Sequence, residues 1–119
     1  MGIAVPEAAG GTGLGFVALC MVLEEQGRRV APVPLVSSLV SAGLSIAEFG
    51  SEEQQQKYLS SLSEGKIKMA AAIAECAMDP ALYESVSAKK TADGWQLSGR
   101  CECIQDGNVA DAILVPAIS

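Results

Sequence analysis

The chain contains no histidine. That removes Ser-His-Asp and Cys-His catalysis and most catalytic zinc sites, because each needs an imidazole as base or ligand. Aromatic residues are also scarce, at 4% of 119 residues, although half of the chain is hydrophobic. A core made from Ala, Val, Leu and Ile, with much Gly and Ser, suits closely packed helices. Basic residues are few: eight Lys and Arg against 14 Asp and Glu, for a net charge of −6. Nucleic-acid binding needs clustered cations to neutralise phosphates, so no nucleic-acid partner is expected. The same balance disfavours an anionic membrane surface. The longest apolar run, residues 14–23 with one Gly, is about half of the roughly 20 residues that a membrane span needs. No membrane association is expected. The start, Met1-Gly-Ile-Ala, has no basic n-region and no cleavage site, so nothing marks secretion and a cytoplasmic location is expected. The four cysteines are Cys20, Cys76, Cys101 and Cys103. A Cys-x-Cys pair with no second pair is a poor zinc site, and no metal is expected. Cys101 and Cys103 would share one face of a strand. All four are read as reduced thiols.

Gly11, Gly13 and Gly15 invite a dinucleotide-binding reading, but Phe16 takes the place of the last glycine in G-x-G-x-x-G. No full strand precedes them and no acidic residue follows at the right distance. A flexible helix entrance is the expectation. Phe16, Leu19, Cys20 and Leu23 then follow the i, i+3, i+4, i+7 spacing of a buried stripe on a helix over residues 14–29. Glu24 and Glu25 are a solvated helix end, since adjacent helical residues point about 100° apart. Gly27 can terminate the helix.

Ala31-Pro-Val-Pro34 is an extended connector. Residues 35–49 form a second helix, apolar on several faces and dotted with Ser37, Ser38, Ser41, Ala42 and Gly43. Such a helix is expected to be buried, because its small residues let neighbouring backbones approach. Ser51-Glu-Glu-Gln54 is a capping box that opens a third helix, with Tyr58, Leu59 and Leu62 facing inward and Gly65 at its end.

After Gly65 the pattern changes to strands: residues 67–74, then 86–91, then 95–99 after an Asp93-Gly94 turn, then 112–118. Residues 75–84 read as a loop. Helices first and strands second give an α+β fold, with antiparallel helices followed by a partial antiparallel β-barrel or sheet. The domains are expected at residues 1–65 and 66–119. Three or four strands are too few to close a barrel, so the chain reads as a fragment or as a piece that must associate.

Taken in order, these segments resemble the acyl-CoA dehydrogenase family. Val5-Pro-Glu-x-x-Gly-Gly-x-Gly13, Leu23-Glu-Glu-x-Gly27, Ala31-Pro-Val-Pro34 and Gly50-Ser-Glu-Glu-Gln-x-x-Lys-Tyr-Leu-x-x-Leu-x-x-Gly65 match its N-terminal helical domain. Residues 66–119 resemble the start of its middle β domain. The resemblance implies FAD, an acyl-CoA thioester substrate and homo- or hetero-oligomers. It also implies removal of an α-proton by a carboxylate with hydride transfer to the flavin. That carboxylate lies in the family's C-terminal domain, so no catalytic residue is assigned within residues 1–119.

The cofactor-binding positions implied are Ile73, Ala74, Glu75, Cys103, Ile104 and Gln105. The family's first flavin segment reads aromatic-x-x-Thr-Glu-Pro, then a Gly-rich loop. Here Ala71 takes the aromatic's place, Ala74 that of Thr and Cys76 that of Pro, and the loop before Asp79 is shorter. The second reads Gly-x-Lys-x-aromatic-Ile-Thr-Asn-Gly. Here Gly99, Arg100, Ile104 and Gly107 fit, while Cys101, Cys103, Gln105 and Asp106 replace Lys, the aromatic, Thr and Asn. Three readings follow. The chain belongs to a subunit with a degenerate flavin site and is inactive by itself, or to a competent flavoenzyme with a variant pocket, or it is a self-associating interaction piece.

Overall fold

A computed structural model describes residues 1–73 and 86–119. The fold is α+β, with helices in the first half and small sheets in the second. A 3-10 turn, Glu7–Ala9, precedes helix α1, Gly15–Arg29. The glycine entrance between them is tied down rather than loose. Thr12, Gly13 and Leu14 donate backbone N–H bonds to the carbonyls of Gly2, Val5 and Ile3 at 2.9–3.0 Å. A Cβ on Gly11 would lie 2.0 Å from the Val5 oxygen, so only glycine allows this approach.

Helix α1 runs past Gly27. It ends where Val30 takes left-handed backbone angles, φ 50 and ψ 40, and returns its N–H to the carbonyls of Gln26 and Gly27. The apolar stripe is only partly covered. Leu19 is fully buried and Leu23 packs on the core, but Phe16 and Cys20 are exposed. Spacing identifies the face of a helix; whether a partner covers that face depends on the rest of the fold.

Helix α2 spans residues 36–49, with a π-helical part, Val36–Leu44, followed by α-helical Ser45–Phe49. It is the buried helix, with Ser37, Ser38, Leu39, Ala42, Gly43 and Ile46 inside. A Cβ on Gly43 would meet a Leu62 methyl at 3.2 Å, the close approach that its small residues permit. Helix α3 covers residues 52–63, with a π-helical stretch, Gln55–Leu59, between α-helical ends. Its capping box is complete: the Ser51 hydroxyl accepts from the Gln54 N–H at 3.3 Å, and Gln54 Oε1 accepts from the Ser51 N–H at 2.9 Å. Leu59 and Leu62 are fully buried, and Gly65, at φ 71, closes the helix by donating to the Leu62 carbonyl.

Four strands lie among the described residues: β1 Met69–Ala71, β2 Val86–Thr91, β3 Gly94–Gly99 and β4 Ala112–Leu114. β2 and β3 form the expected antiparallel hairpin, Val86 opposite Gly99 and Thr91 opposite Gly94. β1 and β4, in contrast, pair in parallel, Met69 opposite Ala112 and Ala71 opposite Leu114. The antiparallel expectation does not extend to them. Parallel partners need a crossover of a dozen residues or more, and the stretch from Ala71 to Ala112 supplies it. Cys101 and Cys103 do not share a strand face either, because residues 100–104 are irregular and Cys103 has φ 53. The core joins Leu19, Leu39, Ala42, Ile46, Leu59 and Leu62 to Met69 and Ala71, so β1 is buried against the helices while β3 is exposed along its length.

Candidate functional site

The start of β1 and the 103–107 segment meet at the start of α2. Ser38, wholly buried, accepts the Met69 N–H at 3.0 Å and donates to the Met69 carbonyl at 2.8 Å. Its hydroxyl therefore satisfies both backbone groups of the first β1 residue, on a strand whose ladder partner is β4. One residue earlier, Ser37 is 1% exposed and its Oγ lies 2.6 Å from Asp106 Oδ2. A longer contact, 3.2 Å, reaches the Pro34 carbonyl. Ser37 has one proton to give, and the nearer carboxylate takes it. Two neighbouring serines thus fasten β1 and the 103–107 segment to a single turn of α2. Sequence reasoning had treated Ser37 and Ser38 only as small residues. The missed signal is their polarity: two hydroxyls on a helix expected to be buried need partners.

The 103–107 segment is compact. Cys103 and Asp106 both take left-handed backbone angles, φ 53 and φ 57, which costs an ordinary L-residue roughly 1–2 kcal/mol and Asp less. Gly107 donates to the Ile104 carbonyl and Val109 to that of Asp106, each at 3.1 Å. A Cβ on Gly107 would lie 3.1 Å from the Ile104 Cβ, so a side chain there would crowd Ile104. A hydroxyl-to-carboxylate bond such as Ser37–Asp106 contributes about 1.5–3 kcal/mol toward holding the turn. Further along, Asp111 pins the entry to β4: its Oδ2 accepts the Lys68 N–H and its own N–H donates to the Lys68 carbonyl, both at 2.8 Å.

Of the expected cofactor positions, Ile73 is half-buried just beyond β1 and packs on the core. Ala74 and Glu75 lie outside the described residues, as do Cys76 and Asp79. Cys103 and Gln105 are exposed and Ile104 is half-buried. Ala71, where the family pattern has an aromatic, is 8% exposed and belongs to the core. Cys20, Cys101 and Cys103 are free thiols. Among the described residues no group of three or more His, Cys, Asp or Glu is placed to hold a metal ion, and no helix is long and apolar enough to cross a membrane.

A cavity of about 360 Å³ lies at the other end of α2, between Ile46, Phe49, Tyr58, Met69 and β4. Of the expected cofactor positions that are described, Ile73, Cys103, Ile104 and Gln105, none lines it.

The family profile for the N-terminal domain of acyl-CoA dehydrogenase matches residues 1–66. This chain belongs to the acyl-CoA dehydrogenase family. Members of that family use FAD, and both the motif order and the helical half agree with the assignment. Acyl-CoA dehydrogenase FadE27 of Mycobacterium tuberculosis is 38% identical over 115 residues, covering 96% of this chain and 30% of the relative. A variant of the Tcur3481-Tcur3483 steroid ACAD superposes with a TM-score of 0.81 at 44% identity, covering 98% of this chain and 32% of that one. The ChsE4-ChsE5 complex from Mycobacterium tuberculosis superposes equally well, TM-score 0.81, at 34% identity, over 98% of this chain and 31% of that one. The chain therefore spans about 30% of the length of the relatives it matches.

Proposed function

We propose that these residues form the helical and early β portions of a subunit in a heteromeric acyl-CoA dehydrogenase, and that this subunit's own flavin site is degenerate. In this reading residues 1–65 and 66–119 are parts of two domains. Support comes from the family match, which stops at residue 66, and from the helices ending at Ser63 before β1 begins at Met69. The assembly would act on a bulky acyl-CoA thioester. Two structural relatives are described as a steroid ACAD and as a two-protein complex, which favours a steroid-type substrate and a paired, non-identical subunit.

The observation that carries the degenerate-site reading is Ala71. In the family pattern this position supplies an aromatic face for the cofactor, whereas here a methyl group is packed into the core. Cys103 and Gln105 replace an aromatic and a threonine on the second segment. Each lost hydrogen bond costs about 0.5–1.5 kcal/mol net, and lost ring stacking a comparable amount. Together they weaken flavin binding roughly a thousandfold, since 1.4 kcal/mol is tenfold. The described residues do not fit the flavin ring, and no proton or hydride step is assigned to them. Their role is to shape the subunit that supports a competent partner.

The test is to purify the complete gene product alone and record its absorbance near 450 nm. Substoichiometric flavin is expected, with dehydrogenase activity appearing only on co-expression with a flavin-binding partner subunit. Stoichiometric FAD on the isolated product would overturn the reading in favour of a competent enzyme with a variant pocket.

A further inference from the structure

We propose that Asp106 is a positioning residue: its carboxylate, held by the buried Ser37 hydroxyl, fixes the 103–107 turn on helix α2 independently of any ligand. The proposal deepens the reading above and rests on it for what the turn faces, namely the wall of the cofactor and thioester cleft. Its physical basis is separate. The turn contains two left-handed residues, Cys103 and Asp106. Such a turn keeps its shape only when its surroundings over-determine it. The determinants here are all within the chain: Ser37 Oγ to Asp106 Oδ2 across 69 residues of sequence, Gly107 N–H to Ile104, Val109 N–H to Asp106, and the Asp111–Lys68 pair downstream. Of these, only the Ser37 bond ties the turn to a helix.

Aspartate rather than asparagine suits this task. A carboxylate accepts a charge-assisted bond and brings no amide hydrogens that would need partners beside a buried helix. Ser37 also differs from a chance surface contact, because it is 1% exposed. Its other acceptor is the Pro34 carbonyl, at the longer distance of 3.2 Å. Asp106 acts through the turn, not on a bound molecule: it sets where Cys103, Ile104 and Gln105 stand. Gly99 and Gly107 of the family pattern are kept, while Cys103 and Gln105 stand in place of its aromatic and threonine.

Amide hydrogen exchange on the complete gene product tests this, with wild type, Asp106→Ala, Ser37→Ala, the double variant and Asp106→Asn compared with and without added FAD. The wild-type amides of Gly107 and Val109 should be protected, and FAD should leave that protection unchanged. Asp106→Ala and Ser37→Ala should each speed exchange there by about tenfold or more, the loss of one charge-assisted bond. Amides of β1 and β4 should keep their protection. The double variant should be no worse than either single one, and Asp106→Asn, which keeps an acceptor oxygen but loses the charge, should fall between wild type and Asp106→Ala.

Unchanged exchange in Asp106→Ala would overturn the proposal. So would loss of protection throughout the molecule, or FAD protecting the wild-type turn by tenfold. Flavin content is read separately: a gene product that purifies with FAD refutes the degenerate-site reading, while the clamp is then judged on flavin-stripped protein.

Discussion

Ser38 shows how much a single buried hydroxyl can carry. It serves both the N–H and the carbonyl of Met69 at the inner edge of the structure. Ser38→Ala leaves both groups buried without that partner, and an unmet buried polar group costs about 1–3 kcal/mol. Chemical denaturation should therefore show a loss of roughly 2–4 kcal/mol with an unchanged m-value, because the fold is weakened but not rearranged. Val30 presents the opposite case. It is a β-branched residue, 85% exposed, held at φ 50 at the end of α1. Val30→Gly removes the left-handed penalty without losing buried surface. It should raise stability by about 1 kcal/mol, read as a melting temperature a few degrees higher. The sequence pattern predicted the helix over residues 14–29, close to the observed Gly15–Arg29, but offered Gly27 rather than Val30 as its terminator. A glycine inside a helix is tolerated for about 1 kcal/mol, whereas the left-handed stop at a valine has no propensity signature.

Among the elements, those governed by local chemistry were legible and those governed by distant partners were not. The Ser51 capping box, the Tyr58-Leu59-Leu62 inward face, the buried small-residue helix and the β2–β3 hairpin all follow from neighbours within a few residues, and all are present. Ser51→Ala should cost about 1 kcal/mol, the usual value of an N-cap, with the loss of helicity confined to the first turn of α3 by NMR chemical shifts. The parallel β1–β4 pairing and the bare side of α1 depend on chain far away, and period-2 or period-3.6 patterns carry no information about it. Leu19 is the one fully buried residue on α1. Leu19→Ala should cost about 2–5 kcal/mol and detach α1 first, seen as rapid exchange of the residue 15–29 amides while α2 and α3 stay protected. The sequence pointed to the 103–107 segment and to the residues just after Met69. The bonds that Ser37 and Ser38 make to Asp106 and Met69 were not legible, since no pattern links residue 37 to residue 106.

For the whole molecule, the distribution of apolar surface is the dominant fact. Leu14 at the entrance to α1 and Phe16, Val17 and Met21 on it are more than half exposed, as are Phe49 at the end of α2 and Trp95 and Leu97 on β3. Scattered apolar residues are ordinary, but a helix and its entrance presenting four of them form a surface that water disfavours. The 119-residue chain by itself should sediment above its 12.2 kDa monomer mass and bind a hydrophobic dye, and a monodisperse, dye-free monomer would count against this account. The parallel pairing of β1 with β4 also has a consequence in time. Met69 meets Ala112, 43 residues further along the chain, so on a ribosome adding about 5–20 residues per second the first strand waits roughly 2–9 s for its partner to be made. The serine on α2 is already synthesised and can dock β1 during that delay. Ser38→Ala should therefore slow or divert folding during synthesis more than its equilibrium cost suggests, which places β1 among the steps where a nascent chain is most open to a chaperone.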